Sequence, residues 1–101
     1  MGVKRGDIIL TQRELFEIAT EWGAVRVGAT GHPAARAASY THEGYGGTMY
    51  MAWTENMMLA ENRLLQFAFD NGGGRHNYHT LSNARPEPGF VYVIQGRLYH
   101  H

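Results

Sequence analysis

Residues 24–40 read AVRVGATGHPAARAASY, and the rest of the chain is best interpreted outward from this stretch. Its first part, residues 24–29, alternates small apolar side chains with an arginine, which is typical of a β-strand. Pro33 suits the first position of a helix, where its missing N–H costs nothing, and the alanines that follow favour helix. The stretch therefore predicts a strand, a glycine-containing turn and a short helix that carries Arg36 and Tyr40.

The segments on either side show their own periodicities. A Ser/Thr-x-x-Glu pattern at residues 11–14 predicts a helix over residues 12–21, because cap and third-residue side chains satisfy each other's backbone donors. Residues 48–53 alternate as a strand, and Thr54 or Asn56 can cap a helix that follows. The apolar stripe of that helix, at helical spacing, is Met57, Met58, Glu61, Leu64, Leu65 and Ala68. Residues 90–94 are apolar on both faces, so we expect an interior strand there.

These elements predict one α/β domain of the α+β kind, with the order α-β-α-β-α-β. Helices would flank a small, mainly antiparallel sheet of about three strands. Residues 7–10 are expected to form only an edge segment, and residues 41–47 a loop. Trp53 and the methionines near it are expected in the core. With 101 residues, the chain is long enough for one core, so residues 1–101 are interpreted as a single domain.

Composition excludes several classes of protein. The net charge of zero gives no support to a generic nucleic-acid binder, so any phosphate recognition has to be local. Eight of the nine cationic residues are arginine, the residue suited to bidentate phosphate contacts. The absence of cysteine excludes disulfide frameworks and thiolate zinc sites. No apolar run approaches the roughly 20 residues that span a bilayer. We therefore expect a soluble, intracellular protein of the cytoplasm or nucleus, with no membrane partner.

Glu61 stands in the middle of the apolar stripe of the long helix. An ionised carboxylate at such a position is costly unless a metal ion or a cation compensates it. Two interpretations stay open here. The carboxylate is functional, or it lies at the rim of the stripe and is solvated or paired with Arg63 or Arg75.

Arg36 and Tyr40 stand four residues apart on a predicted helix and so share a face. Together they could hold and neutralise a phosphate, although Arg36 could also be a surface residue of an alanine-rich helix. Histidines are weaker indicators. His76 and His79 are spaced HxxH, but no predicted helix carries them and no acid or cysteine completes a zinc set, which favours solvated loops.

The spacing of these residues resembles that of the GIY-YIG endonuclease family. In that family an arginine follows the glycine of a Tyr-Ile-Gly strand by eight residues, and a His or Tyr follows four residues later. Gly28, Arg36 and Tyr40 have both spacings. The family continues with a strand and a helix whose glutamate precedes apolar residues, as residues 48–53 and Glu61 do.

The Gly-Ile-Tyr strand that opens the family's domain is not found before residue 24. Residues 88–94, PGFVYVI, have that character instead, with Tyr92 at the position of the motif's tyrosine. The resemblance, which covers residues 24–94, therefore implies a circular permutation in which the first strand is supplied last. Such a rearrangement is physically feasible because a strand needs only its neighbour's backbone to pair.

The resemblance implies hydrolysis of DNA phosphodiester bonds with one divalent metal ion, Mg²⁺ or Mn²⁺. Glu61 would be the metal ligand, and Arg36 would neutralise charge at the phosphorus. Tyr92 would be the general base or would position water, and for base catalysis near neutral pH its pKa would have to be lowered by Arg36, Arg26 or the metal ion. Tyr40 would orient water or phosphate.

Other residues would support this site. Arg26 stands where the second motif has tyrosine, and Ala35 where the family often has lysine. Arg26 could therefore supply the missing cation. Gly28 would support the site, and the family's loop asparagine has two candidates, Asn77 and Asn83. The residues assigned to substrate binding are Arg26, Arg36, Arg75 and His76.

Three functions remain open from the sequence. The first is a metal-dependent DNA endonuclease, and the second is a catalytically inactive GIY-YIG-like module that binds nucleic acid, which Arg26 and the missing lysine motivate. The third is an unrelated small α/β interaction domain with accidental spacings. Because the net charge is zero, a nuclease of this size is expected to depend on a homodimer or a targeting partner to bind DNA.

Overall fold

The computed structural model describes residues 2–20, 24–70 and 82–98. Strands and helices alternate along these residues, so the predicted α/β class is confirmed. The order begins with a strand rather than a helix, which the sequence did not predict. The elements are β1 (Val3–Leu10), α1 (Gln12–Ala19), β2 (Ala24–Thr30), α2 (Pro33–His42), β3 (Tyr45–Thr54), α3 (Met57–Asp70) and β4 (Gly89–Leu98).

The strands form one mixed sheet in the order β1-β3-β4-β2. β4 pairs antiparallel with both β3 and β2, and these are the three strands that the sequence predicts. The prediction of a three-stranded sheet is wrong in its count, because β1 adds a fourth strand parallel to β3. β4 is interior, as predicted, and residues 91–94 are fully buried.

β1 is longer than the edge segment expected at residues 7–10. Its pairing with β3 shifts in register between Arg5 and Ile9. An irregularity of this kind breaks the two-residue alternation by which a strand is recognised in a sequence. Because of this irregularity, the alternation in the sequence predicts only part of β1.

The first residues of the helices agree with the sequence-based prediction, whereas the loop predicted at residues 41–47 does not. In α1, Glu14 N–H donates to the Thr11 hydroxyl at 3.2 Å, and Thr11 N–H donates to the Glu14 carboxylate at 3.0 Å, which completes the predicted capping box. α2 begins at Pro33 as predicted but continues through His42. Residues 41–47, expected to be a loop, therefore contribute the end of α2 and the start of β3.

Two glycines explain why this glycine-rich segment can pair. Gly47 of β3 lies opposite Gly96 of β4, and a Cβ atom on either would overlap the backbone of the other strand. Gly47 also has a φ of 113°, a conformation that favours glycine. The close approach extends the β3–β4 ladder to Tyr45 and Leu98.

α3 begins where its sequence predicts. The Asn56 side chain, one of two candidate caps, accepts a hydrogen bond from Leu59 N–H at 3.1 Å. The buried stripe agrees with the prediction except that Ala60 is buried where Met58 was expected. The buried residues of α3 are Met57, Ala60, Glu61, Leu64, Leu65 and Ala68. No helix in the described parts of the chain is long and apolar enough to cross a membrane.

Helices cover the sheet on both faces. We call the side under α1 and α3 the aliphatic face, and the side under α2 the tyrosine face. Trp53, expected in the core, is instead 51% exposed near the end of β3. The aliphatic face contains Leu15, Ala19, Ala24, Val27, Ala52, Ala60, Leu64, Leu65, Ala68, Val91 and Val93. The tyrosine face contains Ala37, Tyr40, Tyr45, Met49, Met51, Tyr92 and Ile94.

Candidate functional site

Tyr92 lies on the tyrosine face, directly across the β2–β4 ladder from Gly28. Its side chain is fully buried. The phenol passes so close to Gly28 that a Cβ atom at that position would overlap both the ring and the hydroxyl. Glycine therefore makes room for the tyrosine, and it determines where the Tyr92 hydroxyl lies.

α2 brings a second phenol to the first. The hydroxyls of Tyr40 and Tyr92 are 2.5 Å apart, within hydrogen-bond distance, and both residues are buried. The Tyr40 ring also meets the Tyr45 and Tyr92 rings edge to face, with centroids 5.2 Å and 5.8 Å away. These contacts fix the end of α2 on the sheet.

Arg36 lies one helical turn before Tyr40. It is largely exposed but interacts electrostatically with both the Tyr40 and the Tyr92 phenols. An ordinary surface arginine on an alanine-rich helix would have no reason to approach two buried hydroxyls. Arg36 and Tyr40 therefore lie on the face of α2 that is turned toward β4.

Glu61 enters from α3 and is only 8% exposed. One of its carboxylate oxygens accepts a hydrogen bond from the Ser82 hydroxyl at 2.5 Å. Burial raises the pKa of the Glu61 carboxyl, and the Ser82 hydrogen bond and the charges of Arg26 and Arg36 only partly oppose this. Of the two partners considered at the rim, Arg63 is exposed, and Arg75 lies outside the described residues.

Arg26 is the second cation of the site. Its guanidinium lies over the Tyr40 ring, 5.7 Å from the centroid. Its Nε atom is buried, and among the residues that the structure describes it has no hydrogen-bond partner. A buried N–H donor without an acceptor is costly, so an anion bound here would satisfy it.

These side chains surround one cavity of about 240 Å³. Four consecutive residues of β2 line it, and because successive strand residues face opposite sides, the cavity follows the edge of β2. This edge is where a residue of α3 can meet residues of α2, although the two helices cover opposite faces. The lining residues are Arg26, Val27, Gly28, Ala29, Arg36, Tyr40, Glu61, Asn83, Ala84 and Tyr92.

The cavity favours a bound anion. Two guanidinium groups face one carboxylate, and arginine stays protonated at any pH at which a protein is folded. Base catalysis by Tyr92 near neutral pH would need a lowered pKa, whereas the surroundings of Tyr92 act on balance in the opposite direction. Burial raises the pKa of the Tyr92 phenol far above its usual value, the neighbouring Tyr40 phenol adds to the effect, and the Arg36 charge only partly offsets it.

Most residues that the sequence singles out are brought together here. Of the two asparagine candidates, Asn83 lines the cavity. Arg75, His76 and Asn77 lie outside the described residues. Ser82 is the site residue that the sequence reasoning missed, and its position next to Asn83 was the available signal. The residues brought together are Arg26, Gly28, Arg36, Tyr40, Glu61, Asn83 and Tyr92.

In the described parts of the chain, no group of three or more His, Cys, Asp or Glu side chains is arranged to hold a metal ion. Mg²⁺ commonly binds through one or two carboxylates, with water and substrate phosphate completing its shell. Glu61 supplies one buried carboxylate beside a cavity that contains two guanidinium groups, and this donor set fits that mode of binding. No protein-family model, curated protein or solved structure matches the chain.

Proposed function

We propose that the protein is a metal-dependent DNA endonuclease of GIY-YIG type whose chain is circularly permuted. One observation carries the proposal. β4 pairs with β2 so that Tyr92 lies across from Gly28, and Arg36 and Glu61 line the same cavity. The Gly-Ile-Tyr position would then be filled by β4 and the Tyr-Ile-Gly position by β2, although β4 comes last in the chain.

The two arginines would bind the phosphate to be cut. A guanidinium group can donate two parallel hydrogen bonds to phosphate oxygens. Arg36, which reaches the cavity from an exposed position, would neutralise the charge that develops around phosphorus. Arg26 would donate its buried Nε–H to a phosphate oxygen, which supplies the acceptor that this atom otherwise lacks.

Glu61 would hold the Mg²⁺ or Mn²⁺ ion, which when bound stabilises negative charge on the leaving oxygen. The Ser82 hydroxyl would keep the carboxylate in one orientation, because it donates to one oxygen and leaves the other for a cation. Asn83, at the cavity wall, would contribute an amide to the same region.

Tyr92 and Tyr40 would orient water and phosphate rather than accept a proton. The raised pKa keeps the Tyr92 phenol protonated near neutral pH, so its hydroxyl is a hydrogen-bond donor and not a base. Tyr40 shares a hydrogen bond with it and would fix its direction.

The same features support a second candidate, a module that binds nucleic-acid phosphate without cutting it. Arg26 replaces a tyrosine of the family motif, and the Tyr92 phenol is a poor base. Both observations favour anion binding and neither requires catalysis.

The test uses supercoiled plasmid with Mg²⁺ or Mn²⁺. Wild type should nick it, and Glu61→Gln and Arg36→Ala should each lower the rate about 100-fold or more. Glu17→Gln and Arg63→Ala are matched controls, because both residues are exposed and lie outside the cavity. The controls should cut like wild type.

The other outcomes separate the candidates. Salt-sensitive binding without nicking would support the inactive module. Nicking that persists in both site variants would refute the site, and the absence of both binding and nicking would favour an unrelated interaction domain.

We also propose that DNA in the cytoplasm or nucleus is the partner, and that the protein binds it as a homodimer or through a targeting protein. Sedimentation with and without DNA would test the dimer.

A further inference from the structure

Trp53 and Phe90 form an aromatic pair at one end of the sheet, in which Trp53 is exposed and Phe90 is partly buried. They lie opposite each other in the β3–β4 ladder. Their rings meet edge to face with centroids 5.4 Å apart, and the indole is 51% exposed. The edge-to-face contact holds the indole while half of its surface stays open to solvent.

This pair lies on the tyrosine face, the side of the sheet from which Tyr92 and Tyr40 line the cavity. Trp53 is two residues beyond Met51, and Phe90 is two residues before Tyr92, and alternate strand residues share a face. Along β4, Phe90 is therefore about 7 Å from Tyr92. Across the sheet, Trp53 is two strands from β2, or about 10 Å.

We propose that the Trp53–Phe90 pair is a stacking platform for an unpaired nucleobase next to the phosphate held in the cavity. The substrate class would then be nucleic acid that is single-stranded, or locally unpaired, beside the cut. This inference rests on the proposed function, because the cavity must hold a phosphate for the platform to have a neighbour.

The chemistry favours a base over a protein side chain. Two cationic groups in the cavity can hold the sugar-phosphate chain at a distance that one or two nucleotides would span. An aromatic ring offers a face to any of the four bases, whereas a base inside a duplex has both faces covered by its neighbours. A cationic pocket beside an aromatic ledge is the arrangement by which single strands are bound without sequence preference.

The experiment measures binding of a short labelled DNA single strand, without divalent metal so that nothing is cut. Trp53→Ala should weaken binding by roughly five- to 100-fold, the range expected for loss of one stacked base. Trp53→Phe should retain most of the affinity, because a ring remains. Phe69→Ala is the matched control, since Phe69 is 58% exposed. It lies near the C-terminal end of α3, whereas Trp53 lies in β3, just before the N-terminal end of that helix.

Two further ligands make the test specific for stacking. Duplex DNA of the same sequence should lose much less affinity in Trp53→Ala than the single strand does. A fully abasic strand should bind wild type and Trp53→Ala equally, because it has phosphates but no bases. A circular dichroism spectrum checks that each variant is folded, and Phe90→Leu provides a second route if Trp53→Ala is not.

The outcomes distinguish this inference from the proposed function. If Trp53→Ala binds the single strand as wild type does, the platform is overturned, even where Glu61→Gln and Arg36→Ala abolish nicking. If the substitution changes only the sedimentation coefficient, the pair belongs to a protein interface and the platform is equally overturned. If nicking fails but the stacking differences are seen, the platform holds and the inactive module replaces the nuclease.

Discussion

The two faces of the sheet come from the same strands and yet differ in kind. Along β4, Val91 and Val93 point into the aliphatic face, while Tyr92 and Ile94 point into the tyrosine face. The core cluster of the aliphatic face consists of leucine, valine and alanine side chains. The other is filled by three tyrosines, with two arginines and a carboxylate at its margin.

This difference teaches how a small domain can separate stability from function. Apolar burial is non-directional, so α1 and α3 can stabilise the sheet through the aliphatic face, although α3 also carries the buried Glu61. Hydroxyls and guanidinium groups need specific partners, and α2 and the edge of β2 place such groups around the candidate site. Four substitutions test this separation.

The largest expected effect is on the aliphatic face. Leu64 is fully buried there, so Leu64→Ala should lower the free energy of unfolding by about 2–5 kcal/mol. Urea denaturation measures this, with Leu59→Ala as control, because Leu59 is on the same helix but 46% exposed. Equal losses in the two variants would contradict the assignment of the core to this face.

Gly28→Ala tests the tyrosine face by overpacking. The added methyl overlaps the Tyr92 phenol, so unfolding free energy should fall by about 1–3 kcal/mol. Gly31→Ala is the control, since a Cβ atom there has no neighbour within 4 Å. Combining Gly28→Ala with Tyr92→Leu should cost less than the sum of the two changes. Strict additivity of the two free-energy changes would mean that the cost of Gly28→Ala does not come from overlap with the Tyr92 side chain.

Glu61→Gln should stabilise the protein by on the order of 1 kcal/mol at pH 7. The pKa of Glu61 is raised in the folded state, so the folded protein holds this proton more tightly than the unfolded chain. The stability it contributes is present at acidic pH and is lost as pH rises through the folded-state pKa. The gain from glutamine should therefore vanish near pH 4, as thermal melts would show. A gain that is constant with pH, or equal to that of Glu17→Gln, would speak against a buried charge.

The smallest effect is expected from Tyr92→Phe. Loss of one hydrogen bond should change unfolding free energy by about 1 kcal/mol or less. Because burial raises the pKa of the Tyr92 phenol, the shape of any pH–rate profile between about pH 6 and 9 should be the same in both proteins. A neutral-range inflection that disappears in the variant would restore Tyr92 as a base.

Much of the fold could be predicted from short-range patterns in the sequence. The Thr11–Glu14 capping box, Pro33 and the Asn56 cap gave three helix starts, since each depends on residues within one turn. Only residues 7–10 of β1 were predicted, because its register shift breaks the alternation. Trp53 was assigned to the core wrongly, because burial at the end of a strand depends on what covers it.

What the sequence determined by itself was the spacing of Gly28, Arg36 and Tyr40, and the presence of a carboxylate on an apolar stripe. The family resemblance implied that Tyr92 would join them, and the tertiary structure brings it there by pairing β4 with β2, which no local pattern specifies. Only the tertiary structure decided the environment of each group. Burial raises the pKa of Tyr92, and Ser82 reaches Glu61, since both effects depend on atoms that only folding brings near.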